Sequence, residues 1–285
     1  MELFRCLGCL IEAPGDETGR LAELLGLGSV PGPAEHTNLF LFQLYPLASV
    51  YLDNQGKIGG EARDRIAGFW RALGLAPPVE PDHLAILLAF LSLISDREAQ
   101  AQDPADRERW QRVRRAFLWE HLLSWVPIFL DKLNDLDGGF YRRWSGLLAD
   151  SLLEEARSGP RPPILPLHLR QAEPLPDPRA VSGEALLEGL TSPVRCGFIL
   201  VRSDLERAGR ELGLGVRKGE RRYVLEALLG QDDVATLQWL AREAARAAER
   251  HRGWVPQLGD TAGFWVARAL RSARLLTELA AEAAG

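Results

Sequence analysis

The sequence predicts an all-α protein, and three observations carry that prediction. Apolar residues recur at spacings of three and four along most of the chain. No succession of alternating apolar and polar runs is present to build a sheet. The breaks between periodic stretches fall on glycine and proline, where helices end. The 285 residues are 46% apolar and 26% charged. That composition excludes a disordered or collagen-like chain, and the length suffices for one large or two modest domains.

Leu3, Leu7, Leu10 and Ile11 place a first helix, and residues 19–27 a second after the turn Pro14-Gly15-Asp16. Residues 61–73 repeat the helical period through Ile66, Phe69, Trp70 and Leu73, with Gly74 suited to end the helix. Residues 84–94 are apolar on every face and predict a central buried helix. Asp82, just before it, is the expected N-cap, with His83 in the first turn. Residues 96–109 are polar and read as an exposed connection. Residues 110–123 are helical, Pro127 kinks or ends that helix, and 140–156 form the last helix of this half.

From Ser158 to Arg179 the chain carries Pro160, Pro162, Pro163, Pro166, Pro174, Pro176 and Pro178. Each interior proline removes a backbone donor and clashes with the preceding turn, so this stretch is no single helix. Residues 158–182 read as an extended linker or wrapping arm between a helical domain over 1–157 and a helical region over 183–285. In the latter, Ser203 and Glu206 fit a capping box for a helix ending near Gly213. Residues 221–229, 233–251 and 261–284 are further helices, and 193–201 is either strand or loop.

The formal net charge of −5 argues against a polyanion as main partner. Divided at the proline-rich stretch, residues 1–156 carry −8 and residues 157–285 carry +3. Cys6, Cys9 and Cys196 are too few for a disulfide framework, and odd in number, which points to a reducing compartment. Glu2 stands where a secretory signal has basic residues, and the apolar run 84–94 is far below the ~20 residues that cross a bilayer. A cytoplasmic protein without stable membrane insertion is expected.

Several motifs admit two readings. Cys6-Leu7-Gly8-Cys9 is a C-x-x-C inside an apolar helical pattern; packing explains it, and a zinc or redox site lacks the second ligand pair or the preceding strand. The run from Gly213 to Gly219 is a helix C-cap and turn rather than a phosphate loop, whose G-x-x-x-x-G-K-[ST] spacing it lacks. Residues 203–229 have a helix-turn-helix outline, which keeps a nucleic-acid-binding regulator as the alternative function. Residues 202–252, however, hold only 11 basic against 9 acidic residues. An all-α hydrolase or metal enzyme using Asp82, His83 and His121 is a third reading. Val113, Phe117, His121 and Trp125 step by four along one helix face, either as core or as an aromatic groove with a single polar group.

In order along the chain, the sequence resembles the TorD/DmsD/NarJ family of redox-enzyme maturation chaperones. The matching runs are Tyr45-Pro46-Leu47-Ala48-Ser49-Val50-Tyr51 with Gly59-Gly60-Glu61, then Pro81-Asp82-His83-Leu84 with Leu91. Phe117, His121-Leu122, Trp125, Pro127, Phe129 and Phe140-Tyr141 follow. The similarity covers roughly residues 1–157. The resemblance implies a helical cytoplasmic chaperone with no catalytic, cofactor or metal residues of its own. It implies as partner the catalytic subunit of a molybdopterin-dependent oxidoreductase and its twin-arginine signal peptide, held until the cofactor is inserted. It places the peptide-binding region at Tyr45, Ser49, Tyr51, Asp82, His83, Phe117, His121 and Trp125. A paired-arginine leader wants an acidic rim and an apolar groove, and Asp82 is the expected carboxylate. Two features depart from the family pattern: the buried helix has Leu87, Leu88 and Ala89 where an acidic residue is common, and residues 183–285 exceed the usual core.

Overall fold

Glycine, proline and capping side chains set the element boundaries in the computed structural model, which describes residues 2–285. Among these residues there are seventeen α-helices, two π-helical turns and no strand. A single isolated β-bridge joins Leu47 to His83. The all-α architecture is therefore the one the apolar period predicts.

The chain divides into two compact units: one comprises residues up to Ser49 and Gly59–His168, the other Val50–Ile58 and Leu169–Gly285. In chain order the elements begin with α1 (Glu2–Cys9), α2 (Asp16–Leu24), α3 (Pro33–Thr37), a π-turn (Asn38–Gln43), α4 (Ala48–Leu52), α5 (Gly60–Ala72) and α6 (Leu84–Gln100). They continue with α7 (Pro104–Phe117), a second π-turn (Leu118–Leu122), α8 (Val126–Leu136), α9 (Phe140–Arg157) and α10 (Leu167–Gln171). All of these belong to the first unit except the short helices α4 and α10, which straddle the divisions.

In the first unit α6 is the central helix. Leu84, Leu87, Leu88 and Leu91 are fully buried, as expected of a run apolar on every face. Gly8 lets α1 lie close against it, since a Cβ there would stand 3.0 Å from the Ala85 carbonyl oxygen. The Trp144 indole on α9 donates to the Leu7 carbonyl at 3.0 Å and fastens the other side of α1. The C-x-x-C thus lies on a packed helix. Burial pushes the Cys9 thiol up, away from the thiolate that redox or zinc chemistry uses.

The polar stretch 96–109 is a correction to the expected connection. Helix α6 runs on to Gln100, and Asp103 caps α7 by accepting from the Ala105 amide at 3.1 Å, with Pro104 in its first turn. The residues are polar because both helix segments show much of their surface to water, not because the chain leaves the helix.

The second unit contains α11 (Gly183–Leu190), α12 (Pro193–Cys196), α13 (Arg202–Leu212), α14 (Arg221–Leu229), α15 (Asp233–Arg252), α16 (Val255–Leu258) and α17 (Asp260–Ala283). Helices α15 and α17 pack along their length around Leu240, Ala244 and Leu276. Residues 193–201 are neither strand nor simple loop: Pro193 opens a one-turn helix, and Gly197 at φ +83° ends it. Helix α13 begins one residue before the expected cap at Ser203. The Asp204 carboxylate accepts from the Val201 amide at 2.9 Å, and because the N-cap is Val201, with no side-chain acceptor, the Ser203–Glu206 capping box does not form. In the proline-rich stretch, Leu175 joins the core of this unit. Arg268 holds the carbonyls of Glu173 and Ala172 at 2.5 and 3.0 Å.

Three of the basic residues of the helix-turn-helix outline are engaged internally. Arg207 pairs with Glu243 at 2.8 Å, Arg222 with Glu184 at 2.5 Å, and Arg221 donates to the Leu200 carbonyl at 2.8 Å. No helix among the described residues is long and apolar enough to cross a membrane.

Candidate functional site

The two short proline motifs of the sequence meet in the first unit. The backbone of Pro46 and Leu47, with Ala48 opening α4, lies against Pro81–Leu84. The Ala48 amide donates to the Asp82 carbonyl at 3.0 Å and the Leu84 amide to the Pro46 carbonyl at 2.8 Å. Pro46 and Pro81 lack an amide hydrogen, so neither adds a donor needing a partner in this crowded corner. The Asp82 carboxylate accepts from the Ser49 amide at 3.1 Å, and the Ser49 hydroxyl accepts from the Gly59 amide at 3.1 Å. Asp82 and Ser49 are both essentially inaccessible.

This geometry corrects the expected cap. Asp82 does not cap α6; His83 does, its Nδ1 accepting from the Ala85 amide at 3.2 Å. Burial lowers the His83 pKa, which keeps the ring neutral and that nitrogen free to accept. It also corrects the role expected of Asp82: a carboxylate buried on the Ser49 amide is not on a rim where a peptide arginine could reach it.

The aromatic stripe forms a second site in the same unit. The Leu118–Leu122 π-turn, closed by the Leu123 amide on the Leu118 carbonyl at 2.8 Å, adds a residue to the turn that holds His121. Such turns recur where a helix re-aims a functional side chain. Phe117 and Trp125 are fully buried, and the Trp125 indole donates to the His121 carbonyl at 2.9 Å. The His121 ring lies 5.3 Å from Phe69, 5.4 Å from Phe117 and 6.1 Å from His168.

His168, Arg65 and Phe69 complete this cluster. Arg65 approaches His168 Nδ1 at 3.5 Å, and Glu120 accepts the Leu167 amide at 2.8 Å, which ties the proline-rich segment down beside the ring. Burial first, then the neighbouring His168 and Arg65, drives the His121 pKa down to about 3. Burial and Arg65 bring His168 to about 4. Both rings are neutral at pH 7, and His121 Nδ1 and His168 Nε2 have no hydrogen-bond partner among the described residues. The two neutral imidazoles are enclosed in a buried aromatic cluster, so the stripe packs as core.

Of the eight residues singled out, Ser49, Asp82 and His83 stand together with Tyr45 at the head of the same segment, and Phe117, His121 and Trp125 form the aromatic cluster. Tyr51 belongs to the second unit. Tyr45 and His83 keep part of their surface exposed, and the other six are buried. His168 carried no local signal, because it lies 47 residues from its partner His121 within a stretch whose prolines hide any period. Among the described residues, no group of three or more His, Cys, Asp and Glu stands together as a metal-binding set.

The family described as nitrate reductase delta subunit matches residues 33–131. This span encloses the Tyr45–Ser49 and Pro81–Leu84 segments and the His121 turn. Chaperone protein TorD of Vibrio vulnificus (strain YJ016) is 34% identical over 101 residues, 34% of this chain and 47% of that protein. The TorD chaperone of Aliivibrio fischeri (strain ATCC 700601 / ES114) is 30% identical over 112 residues, 38% of this chain and 52% of that protein. That of Photobacterium profundum is 28% identical over 108 residues, 36% and 50% respectively. The chain thus spans about half the length of the curated relatives it matches. No solved structure matches it. Residues 33–131 are thus similar to the nitrate reductase delta subunit family and to the proteins named as TorD chaperones.

Proposed function

We propose that this protein is a cytoplasmic maturation chaperone. It binds the catalytic subunit, or the twin-arginine leader, of a molybdopterin-dependent oxidoreductase, assists folding and cofactor insertion, and delays export until both are complete. The observation that carries the reading is the family match over residues 33–131, with relatives named as TorD chaperones. Two physical features support it. Residues 1–156 carry the net charge of −8, which suits a cationic partner, and Leu41 and Phe42, 54% and 51% exposed in the first unit, suit an apolar segment.

We assign binding to residues 1–157, in the region of Tyr45, Ser49, Tyr51, Asp82, His83, Phe117, His121 and Trp125. Within it, the part-exposed Tyr45 and His83 touch the peptide, while Ser49 and Asp82 hold their backbone in place. No metal or cofactor is required for this role, and the chain acts by holding rather than by chemistry.

Affinity purification of the full chain from its native host tests the reading. Recovery of a molybdopterin-dependent oxidoreductase subunit is expected. Consistent recovery of nucleic acid in its place would overturn it in favour of a regulator built on residues 203–229.

A further inference from the structure

An open groove of about 900 Å³ runs between α15 and α17 in the second unit. The two helices are joined through the short α16 and bury one stripe of each, around Leu240, Ala244 and Leu276, against one another. Each helix keeps a second stripe at spacings of three and four. On α15 it holds Ala241, Arg242 and Ala245, and on α17 Leu270, Ala273 and Arg274. Ala241 is buried, Leu270 and Ala273 are half-buried, and Ala245 is exposed. Alanine has nothing beyond its Cβ, so another backbone can come close here and its larger side chains can fill the space between the helices.

Charge is the second observation, and it is independent of the shape. Arg242 stands on one wall and Arg274 on the other. Both are exposed, and neither has an ion pair or a hydrogen bond among the described residues. The carboxylates nearest to them are already engaged. Glu278, which also lines the groove, pairs with Arg179 at 3.3 Å. Glu243, beside Arg242 in the chain, pairs with Arg207 at 2.8 Å and with Arg246 at 2.6 Å. One exposed arginine is ordinarily just solvated and indicates no partner. Two uncompensated guanidinia flanking a single apolar floor form a pattern, and residues 157–285 as a whole carry +3.

We propose that this groove binds an amphipathic helix of a partner polypeptide, with leucine-like residues on its inner face and a glutamate or aspartate on each flank. A third helix laid over two packed helices lies about 8–10 Å from each axis, so its two flanks reach the two walls. One carboxylate meets Arg242 and the other Arg274. A guanidinium donates two parallel bonds to a carboxylate, which fixes the register of the bound helix as well as holding it. On α15 the lining runs from Gln238 to Ala245, about 10 Å along the axis, so a partner segment of about three turns covers it. The inference does not rest on the chaperone reading, which residues 33–131 carry.

Fluorescence anisotropy on the full chain tests it, with a labelled peptide of about sixteen residues, long enough to form a helix when bound. Its leucines recur at spacings of three and four with glutamates on both sides of them. A second peptide has glutamine in place of every glutamate. The glutamate peptide is expected to bind at least about tenfold more tightly. Arg242→Gln and Arg274→Gln should each weaken it about three- to tenfold and leave the glutamine peptide unchanged. Ala245→Phe, at an exposed position, fills the groove and should weaken both peptides about tenfold or more without moving the melting temperature. No binding of the glutamate peptide, or equal binding of the two, overturns the proposal. Full affinity in the Arg242→Gln, Arg274→Gln double variant, or in Ala245→Phe, does the same. Duplex DNA that binds more tightly than the peptide, with the same dependence on the two arginines, assigns the groove to a polyanion and overturns it as well. So does a dimer of the full chain in sedimentation that the double variant dissociates, because the occupant is then a second copy.

Discussion

The Asp82 carboxylate accepts the Ser49 backbone amide at 3.1 Å, with both groups closed off from water. Ser49 lies in the first turn of α4, so Asp82 supplies from 33 residues away the acidic cap that short helix lacks in its own sequence. Removing one partner of a buried hydrogen bond leaves the other unsatisfied. Asp82→Ala is therefore expected to destabilise the protein by about 1–3 kcal/mol. Asp82→Asn, which keeps an acceptor of the same shape, should cost less. Urea unfolding of the two variants measures the difference, and equal losses would show that the carboxylate does not cap Ser49.

The neutral histidines make stability depend on pH. His121 and His168 have folded pKa values of about 3 and about 4, below the ~6.5 of an unfolded histidine. In that interval the unfolded chain binds more protons than the folded one, so protons favour unfolding. The stability these rings hold is complete above pH ~6.5 and is lost progressively as pH falls from there toward 4. Each contributes a slope approaching about 1.4 kcal/mol per pH unit within the window. Urea midpoints should be lower at pH 5.0 than at pH 7.5 in wild type. They should fall less in the double variant His121→Gln, His168→Gln, measured after the same dialysis.

How much of this is legible in the sequence follows from the range of each interaction. The central helix is written in a run from Leu84 to Ile94 that no amphipathic pattern can explain except by full burial. The stop at Gly74 is equally local, its φ of +74° being open to glycine. The cap of α6 is different. Asp82 and His83 are both suitable, and only the arrival of the Ser49 amide decides which one turns to the helix. Trp144 is legible as a core aromatic, but nothing near it in sequence announces the Leu7 carbonyl its indole meets, 137 residues earlier. Residues 96–109 mislead for another reason: a solvated helix and a loop share one composition, and only the Asp103-Pro104 pair marks where the first helix ends and the next begins.

Leader binding should respond to the part-exposed residues before the buried ones. His83→Ala removes the cap on the Ala85 amide, at a cost of about 0.5–2 kcal/mol in stability, and strips an exposed edge from the region. Tyr45→Ala changes surface at the same corner. Both are expected to weaken a twin-arginine leader peptide severalfold. Affinity should fall further between 50 and 300 mM salt, as charge attraction across a hydrated rim is screened. Calorimetric titration at the two salt concentrations checks this. Affinity that is independent of salt would detach the −8 charge of residues 1–156 from partner binding.

Two glycines of the second unit separate backbone strain from steric collision. Gly197 and Gly213 both lie in the left-handed region, at φ +83° and +69°. A Cβ at Gly213 would meet nothing within 4 Å, whereas one at Gly197 would run into the backbone of Arg268 and Ala269 on α17. Gly213→Ala therefore incurs the conformational penalty alone, about 1 kcal/mol. Gly197→Ala adds a clash with a helix backbone that cannot rotate aside, and should cost more than about 3 kcal/mol. Guanidinium unfolding of the full chain compares them. The loss for Gly197→Ala should appear in probes of α17, such as Trp265 emission, because the close approach of the α12 turn to that helix is what the added methyl forbids.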